Sequence, residues 1–221
     1  MIPLLLQARM TSKRFPGKVM ANLNGTPLLS HVIKQCRKVS NCSDIIVCTS
    51  MEESDDIIYR YCADRNIKVF RGSLENVYQR FFDCLDEFNL GRFGRVCCDS
   101  PFISPELIEL AIDQYLKIEN VDLVSNVCER SFPIGQSIEI VRSECFKSRE
   151  YADRKGFSSE HITQAFYNNK SHYNILNIKN FKRESEASWA IDTVDDLRNV
   201  EKWNDYNYSF NEANVICAKW E

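Results

Sequence analysis

The chain has 221 residues, a formal net charge of −3 at pH 7, 44% hydrophobic residues and 27% charged ones. That length builds one sizeable core, and the acidic balance argues against nucleic acid as main partner, because phosphate backbones need a basic surface. No apolar run approaches the roughly 20 residues that cross a bilayer, and the apolar stretch after Met1 is short and lacks a basic flank, so no membrane partner and a cytoplasmic location are expected.

Ile2-Pro3-Leu4-Leu5-Leu6 reads as a buried first strand. Gln7 to Lys18 follows with four cations, Arg9, Lys13, Arg14 and Lys18, set among Ser, Thr, Pro and Gly. A loop of this composition at the carboxyl edge of a parallel sheet suits a polyphosphate. Its N–H groups and hydroxyls donate to oxygens while its cations offset charge. Pro27 to Val39 has helical apolar spacing through Leu28, Leu29, Val32, Ile33 and Cys36. Asp44 to Thr49 is a β-branched run with the look of a buried parallel strand. Ser54 is placed to cap a helix carrying Ile57, Ile58, Tyr61 and Cys62.

Ile67 to Phe70 is a third strand, with Arg71-Gly72-Ser73 as a turn, and Val77 to Phe88 an amphipathic helix. Gly94 to Asp99 is a strand that ends in an acid. Ser104-Pro105-Glu106 is a helix start, and Asp122 to Ser125 another strand. Alternation of this kind predicts an α/β fold with a parallel sheet, helices on both faces and ligands beyond the carboxyl ends of the strands. The basic loop, Arg71-Gly72 and Asp99 are then expected on one edge.

After about residue 128 the pattern changes. Ile134 to Val141 reads as extended, Glu144 to Tyr151 as a short helix, and Tyr173 to Ile178 as extended. Ser188 to Asp192 reads as a strand ending in an acid, followed by a capping-box start at Thr193 to Asp196. Residues 130–185 are expected as an insertion within a single 221-residue domain, carrying contacts to a second substrate or serving as a dimer arm. The tail from Asp205 reads as a last short helix. The ten cysteines are scattered without a C-x-x-C pair, which favours reduced, buried small hydrophobes.

Two acids, Asp99 and Asp192, close predicted strands on the same edge. Magnesium is held by one or two carboxylates plus phosphate oxygens and water, so this pair beside a basic loop fits a metal–nucleotide complex. Each acid also has a plainer role beside the dipole of its following helix. Neither G-x-x-x-x-G-K-[ST], nor G-x-G-x-x-G, nor D-x-D occurs. His31, on a helix, reads as structural. His161, beside Glu160, is a candidate for the substrate's surroundings.

Leu6-Gln7-Ala8-Arg9-Met10-x-Ser12-x-Arg14-Phe15-Pro16-Gly17-Lys18 resembles the start of the cytidylyltransferases that make CMP-activated sugars. It is similar to the branch typified by the spore-coat polysaccharide biosynthesis protein F. The group also includes the acylneuraminate and 3-deoxy-manno-octulosonate cytidylyltransferases. The likeness continues through Phe70-Arg71-Gly72-Ser73, Asp99 with Pro101, Ser125-Asn126, Glu160-His161-Ile162-Thr163 and Ala190-Ile191-Asp192-Thr193.

The resemblance implies a Rossmann-like nucleotidyltransferase fold, CTP as substrate, Mg²⁺ as cofactor and attack by a sugar hydroxyl on the α-phosphorus with loss of pyrophosphate. It implies Arg9, Lys18 and Asp99 as catalytic residues, and Ala8, Arg9, Ser12, Lys13, Arg14 and Lys18 around the triphosphate. Arg71 and Gly72 would lie near the base, and Asp99 and Asp192 would hold the metal. A homodimer is implied as well, with the insertion reaching the neighbouring active site. Thr11 and Cys98 stand where relatives often have glycine, so a differently turned loop and a narrower metal site are expected.

Two other readings compete. One is a sugar-1-phosphate nucleotidyltransferase using UTP, GTP or dTTP; the other is a catalytically silent homologue. The acceptor itself is not legible: Arg130, Arg142, Arg154 and Lys155 are available for a sugar carboxylate, and Gln136 and Glu139 face either a hydroxyl-rich ligand or solvent.

Overall fold

The computed structural model describes residues 1–154, 156–182, 184–201 and 215–220. In chain order the elements are β1 (Ile2–Gln7), β2 (Asn22–Leu23), β3 (Thr26–Pro27), α1 (Leu28–Cys36), β4 (Cys42–Ser50) and α2 (Asp56–Ala63). β5 (Lys68–Gly72), α3 (Val77–Glu87), β6 (Arg92–Cys97), α4 (Pro105–Lys117), β7 (Leu123–Ser125) and β8 (Glu139–Arg142) follow. The remainder is α5 (Ser143–Lys147), α6 (Arg149–Ala152), α7 (Gln164–Asn168), β9 (Ile175–Asn180), α8 (Val194–Glu201) and β10 (Val215–Lys219).

Among the described residues eight strands form one sheet in the order β10-β9-β7-β8-β6-β1-β4-β5, and β2 pairs with β3 as a separate hairpin. β5, β4, β1 and β6 run parallel, and so do β7 and β9; β8 and β10 are antiparallel to their neighbours. The sheet is therefore mixed and mostly parallel: the strand–helix alternation predicted its parallel strands, and β8 and β10 depart from it.

The apolar run of β1 is continuous because both faces of the sheet are covered. Leu4 and Leu6 point into a core shared with Val32 and Ile33 of α1 and Leu107 and Ile108 of α4. Leu5, between them, points into a second core with Phe81 of α3, Phe146 of α5 and Phe166 of α7. All three leucines are fully buried, each contributing roughly 1.5–3 kcal/mol by leaving water.

Several boundaries differ from the sequence reading. Ser54 does not cap α2: it sits inside a short 3-10 turn, Glu53–Asp55, that leads into the helix. Arg71 and Gly72 are not a turn but the last residues of β5, paired with Thr49 and Ser50. The helix expected over 144–151 is two short ones, α5 and α6, broken at Ser148, which is extended at φ −67° and ψ 143°. Within 134–141 only Glu139 onward joins the sheet, because Ile134 instead bridges Ser188. Residues 188–192 add no strand to the sheet; the bridge at Ser188 is their pairing.

β8 and β9 fall inside the expected insertion, and both are members of the main sheet. The tail expected as a helix contains the strand β10, antiparallel to β9; residues 202–214 and 221 lie outside the described residues.

Candidate active site

The loop after β1 is fixed before any ligand arrives. Gly17 adopts φ 76°, a left-handed conformation that glycine accepts without strain, and its N–H donates to the Met10 carbonyl at 2.7 Å. Lys18 then opens a 3-10 turn, Lys18–Met20. Thr11 is not among the residues with positive φ; the left-handed step of this loop falls on Gly17.

The other anchor comes from Asp55, which the sequence did not single out. Its buried carboxylate accepts the Met10 N–H at 2.7 Å, and the Thr49 hydroxyl and Ser50 N–H at 3.0 Å each. Burial works against the charge, but these donors outweigh it and hold the carboxyl below its ordinary 3.8. Asp55 is 45 residues from Met10, and nothing local in the sequence marks that pairing. The one available signal is an acid shortly after a strand's carboxyl end.

Above this anchor lies a cleft of about 360 Å³ at the carboxyl edge of β1 and β6. Arg9, Ser12, Lys13, Arg14, Lys18, Asp99 and Asp192 all line it, together with Glu160 and His161. Residues far apart in sequence thus converge on one edge. The Lys18 ammonium lies 2.9 Å from Asp99 Oδ2 and 2.8 Å from Asp192 Oδ1. Burial opposes its charge, yet the two carboxylates overcome that and raise its pKa above 10.5. Arg14 meets the other oxygen of Asp192 at 3.0 Å, and Arg9 meets Glu160 at 2.8 Å. The cleft's cations are therefore largely balanced by its own acids.

Asp192 is positioned by a capping box. The Thr193 hydroxyl accepts the Asp196 N–H at 3.1 Å, and the Asp196 carboxylate accepts the N–H groups of Thr193 at 2.8 Å and Asp192 at 3.0 Å. One residue earlier, the Ile191 N–H donates to the Asp99 carbonyl at 2.8 Å, so the two acid-bearing segments are hydrogen-bonded to each other. Asp192 reaches the site through this loop and not as the end of a strand.

Three expected positions fall elsewhere. Ala8 is buried in the first core, with its N–H on the Cys48 carbonyl at 3.1 Å, and does not line the cleft. Arg71 does not line the cleft: it donates to the carbonyls of Ser50 and Glu52 and pairs with Asp56 at 2.7 Å. Gly72 is buried beneath Arg80 of α3. Cys97 and Cys98 both lie in the cleft wall, Cys98 packed against the first core; burial pushes the Cys97 thiol up to about 11 and keeps it neutral.

All ten cysteines are free thiols. His31 secures the β2–β3 hairpin through the Leu23 carbonyl and the Thr26 hydroxyl, both at 2.8 Å. Of the cations considered for a sugar carboxylate, Arg130 meets Ser137, Arg142 meets Asp122, and Arg154 meets Glu150; none of the three lines the cleft. Lys155 lies outside the described residues. Neither Gln136 nor Glu139 faces solvent: the Gln136 amide bonds Ser104 N–H and the Phe102 carbonyl, and Glu139 holds Arg95 and Tyr167.

Among the described residues no three acids, histidines or cysteines gather around one point. Asp99 and Asp192 nevertheless both reach a single cationic centre, the Lys18 ammonium. Two carboxylates of that kind suit a hard divalent ion such as Mg²⁺, with phosphate oxygens and water supplying its other ligands.

A sequence model of the family described as cytidylyltransferase matches residues 4–212. The spore coat polysaccharide biosynthesis protein SpsF of Bacillus subtilis is 28% identical over 209 residues, covering 89% of this chain and 83% of that protein. The 3-deoxy-manno-octulosonate cytidylyltransferase of Trichlorobacter lovleyi is 30% identical over 112 residues, covering 51% and 44%. Among solved structures, a cytidylyltransferase from Leptospira borgpetersenii superposes with a TM-score of 0.85 at 25% identity, covering 90% of this chain and 84% of that one. A CMP:2-keto-3-deoxy-manno-octonic acid synthetase complexed with CTP shares the fold, with a TM-score of 0.68 at 14% identity over 92% and 98%. Fold, edge and sequence agree: this chain belongs to the cytidylyltransferase family of nucleotidyltransferase enzymes.

Proposed function

We propose that the protein transfers CMP from CTP to a sugar hydroxyl. The acceptor oxygen forms a bond to the α-phosphorus, the bond from that phosphorus to the bridging oxygen breaks, and pyrophosphate leaves; the hydroxyl proton passes to solvent. The observation that carries this reading is Lys18 held between Asp99 and Asp192, beside Arg9, Ser12 and Arg14 in one cleft.

Transfer of this type asks little covalent chemistry of the protein; it asks for alignment and for charge placed where charge develops. Arg9, Arg14 and Lys18 supply that charge to the departing phosphates. Ser12 adds a hydroxyl donor. Asp99 and Asp192 are the residues that would hold Mg²⁺, which when bound neutralises phosphate oxygens. The sugar acceptor is supported by relatives named for polysaccharide and octulosonate chemistry. A cytidine preference over other bases is supported by the family match.

The test is a pyrophosphate-release screen with Mg²⁺, supplying CTP, UTP, GTP or dTTP against a panel of sugar acids and phosphorylated polyols. Release that requires CTP and one acceptor class supports the proposal. Equal turnover with another nucleotide points to the sugar-1-phosphate reading. No thermal stabilisation and no turnover with any nucleotide points to a silent homologue.

A further inference from the structure

Arg80, on the first turn of α3, is a guanidinium with no exposed surface. Helical side chains lean toward the helix N-terminus, so it reaches back under the turn of residues 73–76. There Nη1 donates to the Ser73 carbonyl at 2.7 Å. Nε and Nη2 are buried and meet no acceptor among the described residues. A buried unpaired donor costs about 1–3 kcal/mol, more when it is charged.

The location is not incidental. Gly72 lets α3 come this close: a Cβ there would meet Arg80 Cγ at 2.9 Å. The guanidinium lies within electrostatic reach of Arg9 and Asp55, the cleft cation and the anchor of its loop. The loop that carries Glu160 also packs here, since the Tyr78 N–H donates to the Ser159 carbonyl at 2.9 Å. Arg80 thus sits where the phosphate loop, the 158–161 loop and the 73–76 turn meet, one layer below the cleft. Arg71, the other arginine of this region, is committed to Asp56 and two carbonyls.

We propose that Arg80 is the specificity residue for the base, with its Nε–H and Nη2–H edge donating to O2 and N3 of cytosine. On a guanidinium these two N–H groups lie side by side and point the same way. Cytosine presents two adjacent acceptors, O2 and N3, to such an edge. Uracil presents O2 beside N3–H, so one arginine donor would face a donor. The edge therefore accepts one pyrimidine and rejects the other. Because Arg80 is fully buried, the base can reach it only if the 73–76 turn, whose residues Ser73, Glu75 and Asn76 are exposed, gives way and releases the Arg80 bond to the Ser73 carbonyl. The inference rests on the CTP reading above and adds to it the group that reads the base.

Calorimetry in Mg²⁺ buffer with CTP, UTP and inorganic tripolyphosphate tests it on the wild type, Arg80→Met and Arg80→Lys. The wild type is expected to favour CTP over UTP by about tenfold or more. Arg80→Met should lose that preference while binding tripolyphosphate as before. Arg80→Lys, which keeps the charge without the paired donors, should not restore it, and it serves alone if Arg80→Met fails to fold. A CTP preference retained in either folded variant overturns the inference, as does a wild type that binds CTP and UTP equally. A wild type that binds tripolyphosphate and no nucleotide overturns the CTP reading itself.

Discussion

Arg9 Nη2 and Glu160 Oε1 meet at 2.8 Å across the mouth of the cleft, joining segments 151 residues apart. The hydrogen bond and charge of Arg9 hold the Glu160 carboxyl below its usual value. On the proposed reading a triphosphate would compete with Glu160 for Arg9. The pair is largely solvated, so it is worth about 0–1 kcal/mol to the fold. Glu160→Gln is expected to leave the melting temperature nearly unchanged and to lower the KM for CTP by up to about fivefold. Steady-state kinetics over a CTP titration measures this; a raised KM would mean that Glu160 helps to hold the nucleotide.

Lys18→Ala and Asp99→Ala each remove a charge that the proposed transfer step would use. Each should lower kcat by about 10²–10³ with the circular dichroism spectrum intact. The Lys18 variant carries a second signature. With the ammonium gone, Asp99 and Asp192 face each other with Arg14 on Asp192 as the remaining partner cation, so Mg²⁺ alone should raise its melting temperature more than that of the wild type. Thermal shift across a magnesium titration reads this directly, and equal responses would remove the pair as metal ligands.

Asp55→Asn should destabilise the protein by about 1–3 kcal/mol and raise the KM for CTP, because asparagine keeps one acceptor oxygen and turns its NH2 group toward either the Met10 N–H or the Ser50 N–H. The effect has a defined pH window. The folded carboxyl lies below its ordinary 3.8, so its stabilisation is complete above that value and fades as pH falls through the depressed folded value. Urea midpoints of wild type and variant should stay separated at neutral pH and converge in acid. A gap that persists unchanged below pH 3.8 would contradict the assignment.

Asp196→Ala removes half of the capping box and leaves the Asp192 N–H without its acceptor. A stability loss of about 0.5–2 kcal/mol is expected. Because Asp192 is oriented by that bond, kcat should fall by more than the melting temperature implies at assay temperature. Asp196→Asn, which keeps an acceptor oxygen, should recover most of it.

What could be read from the chain followed distance along it. The strand–helix alternation, the α4 start at Ser104 and the Thr193 box rest on neighbours within four residues, and the structure bears them out. Convergence of Arg9, Lys18 and Asp99 was legible too, because parallel strands bring every carboxyl end to one edge. Asp192 arrived there by a different route, tied through Ile191 rather than carried on a strand. Asp55 and Arg80 were not legible. Each matters through partners on other elements, and a buried acid or arginine looks the same in sequence as a solvated one. Arg71 illustrates the converse: its motif position marks it from sequence, while its bonds to the carbonyls of Ser50 and Glu52 come from residues 21 and 19 positions away and show only in the structure.

The central place of β1 bears on how the chain reaches its shape during synthesis. Its neighbours are β4 and β6, so the apolar segment Ile2–Leu6 waits for both partners until residue 97 has been made. Parallel pairing offers no hairpin shortcut, and an unpaired apolar strand is a template for wrong association meanwhile. Slower translation or cooler growth should therefore improve soluble yield, and substitutions at Leu4 or Leu5 should cost yield before they cost turnover in the molecules that do mature.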